Sequence, residues 1–166
     1  MRTALAGKRR TLAAFMQRPR DLAHWGGLPL RLIVGYGFFA HGLAKLEKGP
    51  EKFVAIVDAL GVPMPHFMAW LAIIVEFAGG LLMLLGAGIT LLSVPMVAVL
   101  LVAIVTVHLP FGFTSVKLIE VTASGPKFGP PGIEADLLYL ACLVAMYVIG
   151  PDPISMDGLR ARRRHN

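Results

Sequence analysis

Apolar positions along the chain fall into four blocks, separated by stretches rich in glycine, proline or charge. The first, residues 28–46, reads LPLRLIVGYGFFAHGLAKL and is interrupted by Arg31, His41 and Lys45. The second covers 67–85, the third 91–109 and the fourth 133–149. A helix needs about 20 apolar residues to cross the hydrocarbon core, so the pattern predicts four spans, the last of them short. Between the first two, residues 51–60 have helical spacing and stop at Gly61-Val62-Pro63. They predict a short amphipathic helix on the outer face, with Phe53, Ile56, Val57 and Leu60 turned inward. GAGIT predicts a tight turn, and Pro95 is expected in the first turn of the third span, where a missing N–H does least harm. The stretch PFGFTSVKLIEVTASGPKFGPPG is too rich in glycine and proline to be helical throughout. Gly35, Gly42, Gly79 and Gly80 would let neighbouring membrane helices approach closely. The expected fold is all-α: a polytopic bundle of four transmembrane helices, with a short interfacial helix between spans 1 and 2.

Composition supports a membrane protein. Charged residues make up 16% of the 166, against about 25% in a soluble domain, and mean hydropathy is +0.70. Between Phe67 and Val116 the only formally charged residue is Glu76. The net charge of +6 sits at the ends: Arg2, Lys8, Arg9, Arg10, Arg18 and Arg20 at one, Arg160, Arg162, Arg163 and Arg164 at the other. The positive-inside rule explains this more economically than nucleic-acid binding, and it puts both termini in the cytoplasm. Residues 1–27 then form a basic cytoplasmic extension, 28–158 the membrane domain and 159–166 a basic cytoplasmic tail. Attraction of the tails to anionic headgroups is a secondary effect. The single cysteine, Cys142, excludes an intramolecular disulfide and a CxxC relay.

The polar residues inside the apolar blocks carry the chemistry. With the N-terminus inside, span 1 carries His41 and Lys45 toward its outer end, and Glu76 falls near the middle of span 2. His108 closes span 3, while Glu134 and Asp136 open span 4. Five candidates from four helices, His41, Lys45, Glu76, His108 and Glu134, therefore occupy the outer half of the bundle. An acid at a helix centre costs roughly 2.5–3.5 kcal/mol on insertion scales, so Glu76 calls for a cation or a proton, and Lys45 and His41 are the cations on its side. A buried ion pair that only locks helices together is the structural alternative. Asp136 reads as a solvated or helix N-terminal acid, favourable to the helix dipole. No pair has a spacing such as HxxxH, so no metal site is expected. Arg31, near the cytoplasmic end, could snorkel or pair with Asp152 or Asp157.

These residues sit in recognisable motifs. RLIVGYGFFAHGLAKL resembles the first-helix signature of the DoxX family, and LGVPMP, VEFAGGLLMLLG, HLPFGF, GIEADLLYL and GPDPISMD follow in the family's order over residues 28–158. The resemblance implies a small four-helix protein of the bacterial inner membrane. Some members are linked to sulfur-compound oxidation with quinone as electron acceptor, as in thiosulfate:quinone oxidoreductase. Others are assigned to redox or detoxification complexes. It further implies a functional polar site at His41, Lys45, Glu76, His108 and Glu134. The basic extension lies outside the family pattern.

The leading expectation is an oxidoreductase component acting with quinone. His41 or His108 would hydrogen-bond a quinone carbonyl, Glu76 would carry a proton and Lys45 would offset negative charge. A small anion such as thiosulfate could instead approach Lys45 and the histidines. The sequence has no haem, flavin or iron–sulfur motif, so electrons would pass between bound substrates or through the cofactor of a partner redox or membrane protein. The alternative is a non-catalytic anchor or assembly subunit of a larger complex. Four spans without an internal repeat argue against a carrier.

Overall fold

A computed structural model of the chain describes residues 25–165. The extension expected over residues 1–27 lies outside them, save for its last three positions. In chain order the elements are α1 (Gly27–Lys48), α2 (Pro50–Ala59), α3 (Pro65–Leu85), α4 (Ile89–Ala103), a hairpin of β1 (Leu118–Thr122) and β2 (Gly125–Phe128), α5 (Glu134–Ile149) and α6 (Met156–His165). From α4 the chain continues through a π-helical turn, Ile104–His108, and a 3-10 turn, Leu109–Phe111.

Local signals set the boundaries. Proline opens α2 and α3, where its missing N–H would have no intrahelical partner. Gly86 and Gly88, at φ 69° and 71°, make the tight turn between α3 and α4; both angles lie in the left-handed region that glycine enters without a Cβ clash.

Packing follows from small residues on facing stripes. A Cβ on Gly42 would lie 2.4 Å from the Phe77 backbone nitrogen, and one on Gly80 would lie 2.3 Å from that of Phe39. Helices α1 and α3 therefore touch backbone to backbone. Gly35 meets Leu84 and Gly80 in the same seam, whereas Gly79 faces only a side chain, the Met96 methyl. Phe38 meets Tyr139 of α5 edge-on, with ring centroids 6.1 Å apart. Val34, Phe38, Met83, Met96, Leu100, Leu143 and Met146 close one core shared by α1, α3, α4 and α5.

Two helical rods, α3 and Ile89–Phe111, are long and apolar enough to cross a membrane. Only 33% and 22% of their most apolar stretches are buried within the chain. Leu91, Val94, Val105 and Ile74 point outward. A soluble core helix would bury such a face; here it suits lipid. Helix α1 carries Arg31, Lys45 and Lys48 within its 22 residues, and α5 has 16.

Four expectations change. The glycine- and proline-rich stretch contains an antiparallel hairpin, with Thr122 opposite Gly125, so the fold is mostly helical rather than all-α. The basic tail expected from residue 159 on falls within a helix, α6, that the apolar pattern did not foresee. Of the four positions expected to turn inward around α2, Phe53 and Val57 do so, while Ile56 and Leu60 are exposed. Pro95 lies in the second turn of α4, not the first.

At one end of the bundle Arg31 forms a buried latch. Its Nε donates to Asp152 Oδ2 at 2.7 Å, and Nη1 donates to the Leu84 carbonyl at the end of α3. Of the two acids expected for Arg31, Asp152 is the partner. Asp157 instead accepts from the Ile89 backbone N–H at 3.0 Å and caps α4.

Candidate functional site

The other end of the bundle holds the remaining intramembrane charges. Gly27 lies against Gly150, and Phe38 against Tyr139, so α1 and α5 run antiparallel. The C-terminal half of α1, with Lys45, is therefore level with the N-terminal half of α5. The contact of Gly42 with Phe77 brings Glu76 of α3 to the same height.

Lys45 and Glu76 form a pair. Lys45 Nζ donates to Glu76 Oε1 at 2.6 Å. It also lies 2.5 Å from Oε2, but without the alignment of a hydrogen bond, so Oε2 is a buried oxygen with no hydrogen-bond partner. The ammonium at that distance compensates the oxygen electrostatically, so both carboxylate oxygens belong to one ion pair. The Lys45 ammonium also sits 4.1 Å from the centre of the Phe53 ring, a cation–π contact supplied by α2. The Glu76 side chain is 9% exposed and that of Lys45 22%. The acid is sealed, while the cation reaches the edge.

A second pair stands on α4 and α5. His108 Nδ1 lies 2.5 Å from Asp136 Oδ2. With Asp136 ionised, Nδ1 is the donor of this contact, and Nε2 is the ring nitrogen turned away from the pair. The π-helical turn produces this aim: it winds more slowly than an α-helix and redirects His108 relative to a continuous rod. Thr106 adds to the distortion by donating its hydroxyl to the Val102 carbonyl at 2.8 Å.

Asp136 is an acid of the first turn of α5, as one of its two expected readings had it, but it is buried and not solvated. Its spacing carried the signal. Positions 136, 139, 143 and 146 lie on one face of a helix, and Leu143 and Met146 are core residues. Glu134, two residues earlier, points elsewhere: its carboxylate accepts from the Ser115 backbone N–H at 2.9 Å. It holds the loop to the start of α5, where an acid also suits the helix dipole.

His41 does not join the interior, and the expectation that it faces inward with Lys45 is corrected. The buried residues of α1 include Arg31, Val34, Gly35, Gly37, Phe38 and Gly42. Lys45 continues that face, whereas His41, one turn beyond Gly37, is exposed. The structure thus brings together Lys45 with Glu76 and His108 with Asp136, two pairs at one end of the bundle. It leaves His41 outside and engages Glu134 in the loop. Among the described residues, no group of three or more His, Cys, Asp or Glu side chains is placed to hold a metal ion.

Residues 26–109, half of the chain, match the DoxX family model. The chain belongs to the DoxX family. Across 86% of this DoxX protein and 88% of the relative, it is 30% identical to a Mycobacterium tuberculosis protein named "Uncharacterized membrane protein Rv3486". It is 36% identical over 88 residues to a Bacillus subtilis protein named "Putative oxidoreductase CatD". That match covers 53% of the chain and 63% of the relative, so it spans less than two thirds of that protein's length. No solved structure matches the chain. The outward apolar faces and the family together make this a membrane protein.

Proposed function

We propose that this DoxX-family protein is the membrane component of a quinone-linked oxidoreductase. In this reading it crosses a bacterial inner membrane four times, with both termini cytoplasmic and α2 lying at the outer interface. The observation that carries the proposal is the Lys45–Glu76 ion pair, its carboxylate sealed among apolar helices. Intramembrane ionisable groups are costly and mark proton or substrate paths by default.

The residues fit a quinone as substrate. A quinone carbonyl needs a hydrogen-bond donor, and its reduction consumes protons. The Lys45 ammonium reaches the edge of the bundle and offers both a donor and positive charge. Glu76 Oε2 is placed to accept a proton. Once protonated, His108 Nε2 donates, while Asp136 holds the ring and stabilises the imidazolium. Electrons pass directly between substrates, sulfur compounds being one class of donor, or come from the cofactor of a partner protein. His41, on the outside of α1, is at most a contact for a headgroup at the entrance.

A second reading has its own support. Lys45 is held by both Glu76 and Phe53, as expected of a pair that only fastens α1, α2 and α3 in an anchor subunit. The double variant Lys45→Met/Glu76→Leu separates the two. Replacing a buried ion pair with apolar residues is often neutral or stabilising by about 1–4 kcal/mol. The functional reading expects a folded variant that retains no quinone on purification, where wild type retains it. Equal quinone in both proteins, or none in wild type under saturating quinone, gives the anchor reading.

A further inference from the structure

Helix α6 is not a loose end. A Cβ on Gly158 would lie 2.3 Å from the Asp152 carbonyl oxygen, so the first turn of α6 sits directly on the segment that Arg31 clamps. The Ser155 hydroxyl donates to the Asp152 carbonyl at 2.6 Å and accepts from the Gly158 N–H at 3.0 Å. The Asp157 N–H donates to the Gly86 carbonyl at 3.0 Å, and its carboxylate caps α4. Asp152 and Ser155 are 1% and 0% exposed. The start of α6 is thus fixed to α1, to the end of α3 and to the start of α4.

Its height relative to the bilayer can be read from the aromatic residues. Trp25 and Tyr147 are both exposed, and both flank the contact of Gly27 with Gly150. Exposed tryptophan and tyrosine favour the boundary between hydrocarbon and headgroups. Helix α6 begins six residues beyond Gly150 and therefore starts at headgroup depth. At 3.6 residues per turn, Arg160, Arg163 and Arg164 fall within about 100° of one another on the side away from Gly158. All three are exposed, as are Met156 and Leu159 beside them. Asp157 is the only acid in the helix, and it is turned inward on α4.

We propose that α6 is a docking surface for anionic phospholipid, held at the headgroup layer by the Arg31–Asp152 latch. Its arginines bind lipid phosphates, and Met156 and Leu159 enter the acyl boundary. Charge complementarity selects this occupant: a rigid arginine face at the depth of a phosphate layer. The proposal is independent of the quinone reading.

The test uses the full-length protein in nanodiscs. Cys142→Ala with Ala161→Cys leaves one thiol, on α6, for a fluorophore. The discs contain phosphatidylcholine with about one-third phosphatidylglycerol, and a trace spin-label quencher carried on the acyl chain of either phosphatidylglycerol or phosphatidylcholine. Each arginine near an anionic surface is worth about fivefold in partitioning. Stronger quenching is therefore expected from labelled phosphatidylglycerol than from labelled phosphatidylcholine, a preference lost in about 1 M salt and in the added variant Arg160→Gln/Arg163→Gln/Arg164→Gln. Equal quenching by both labelled lipids, or a preference indifferent to salt, overturns the proposal. So does a response to a nucleic acid or an acidic protein in place of phosphatidylglycerol. If the triple variant does not fold, the lipid and salt comparisons on the parent decide alone.

Discussion

Asp136 and His41 exchange roles between sequence and structure, and the reason lies in what covers each position. On α1 Gly37 is buried against Tyr139, yet His41, one turn further along the same side, is exposed despite lying four residues from Lys45. On α5 the face passes through Leu143 and Met146, which carries Asp136 inward toward His108. The spacing of charged residues was visible in the sequence, but which face each helix buries is fixed by its neighbours. The Lys45–Glu76 pair was legible because so few cations could reach Glu76. The His108–Asp136 pair was not, because the π-helical turn that redirects His108 has no clear mark in the sequence. If His108 transfers a proton, His108→Ala lowers quinone-linked turnover by about 10²–10⁴-fold. Asp136→Asn lowers it less and shifts its pH profile, because the amide still holds the ring but no longer stabilises the imidazolium. An unchanged profile in Asp136→Asn would assign Asp136 to packing alone. Glu76→Gln should abolish turnover with little loss of thermal stability, since Lys45 at the edge can turn to water; turnover at the wild-type level would remove Glu76 from the site.

The four long helices were legible at the scale of elements because their apolar blocks and glycine–proline breaks coincide with their ends. The seam between α1 and α3 was also anticipated, and it is the most demanding contact in the fold. Gly42→Leu would drive a side chain into the Phe77 backbone. Overpacking typically costs about 1–3 kcal/mol, and backbone yields less readily than a side chain, so a marked fall in the detergent unfolding midpoint is expected. An unchanged midpoint would mean that the seam is looser than described. The hairpin and α6 were hidden because neither follows from an apolar period: β2 is GPKF, and α6 is MDGLRARRRH, with four arginines in ten residues. Both are held instead by particular hydrogen bonds, Ser115 with Glu134 at one end and Asp152 with Ser155 at the other. Arg31→Met breaks the second anchor and leaves Asp152 buried without its cation, a change that costs about 3–5 kcal/mol. Arg31→Met/Asp152→Leu should recover part of that loss in chemical denaturation, and no recovery would show that the Leu84 carbonyl, not the ion pair, is Arg31's main partner.

The whole molecule has two polar ends with different characters. One is a buried latch beneath a basic helix; the other holds two charged pairs, one sealed beneath Phe53 and one built on an irregular helical turn. Family membership and the apolar outer faces place the molecule in a membrane, and the proposed topology has both termini in the cytoplasm. Single cysteines at Lys48 and Lys127, each in a Cys142→Ala background, should then react with an impermeant thiol reagent from the periplasmic side; reaction from the cytoplasm alone would invert the bundle. The sequence pointed to this division of ends through its charges but could not show which charges meet. The central claim is that the end holding Lys45, Glu76, His108 and Asp136 receives a quinone. Hydrogen–deuterium exchange of the purified protein, with and without a short-chain quinone, tests it most directly. Protection confined to the C-terminal half of α1, the middle of α3, the turn around His108 and the first turns of α5 is the predicted result. Protection at the Arg31–Asp152 end, or none at saturating quinone, would contradict it.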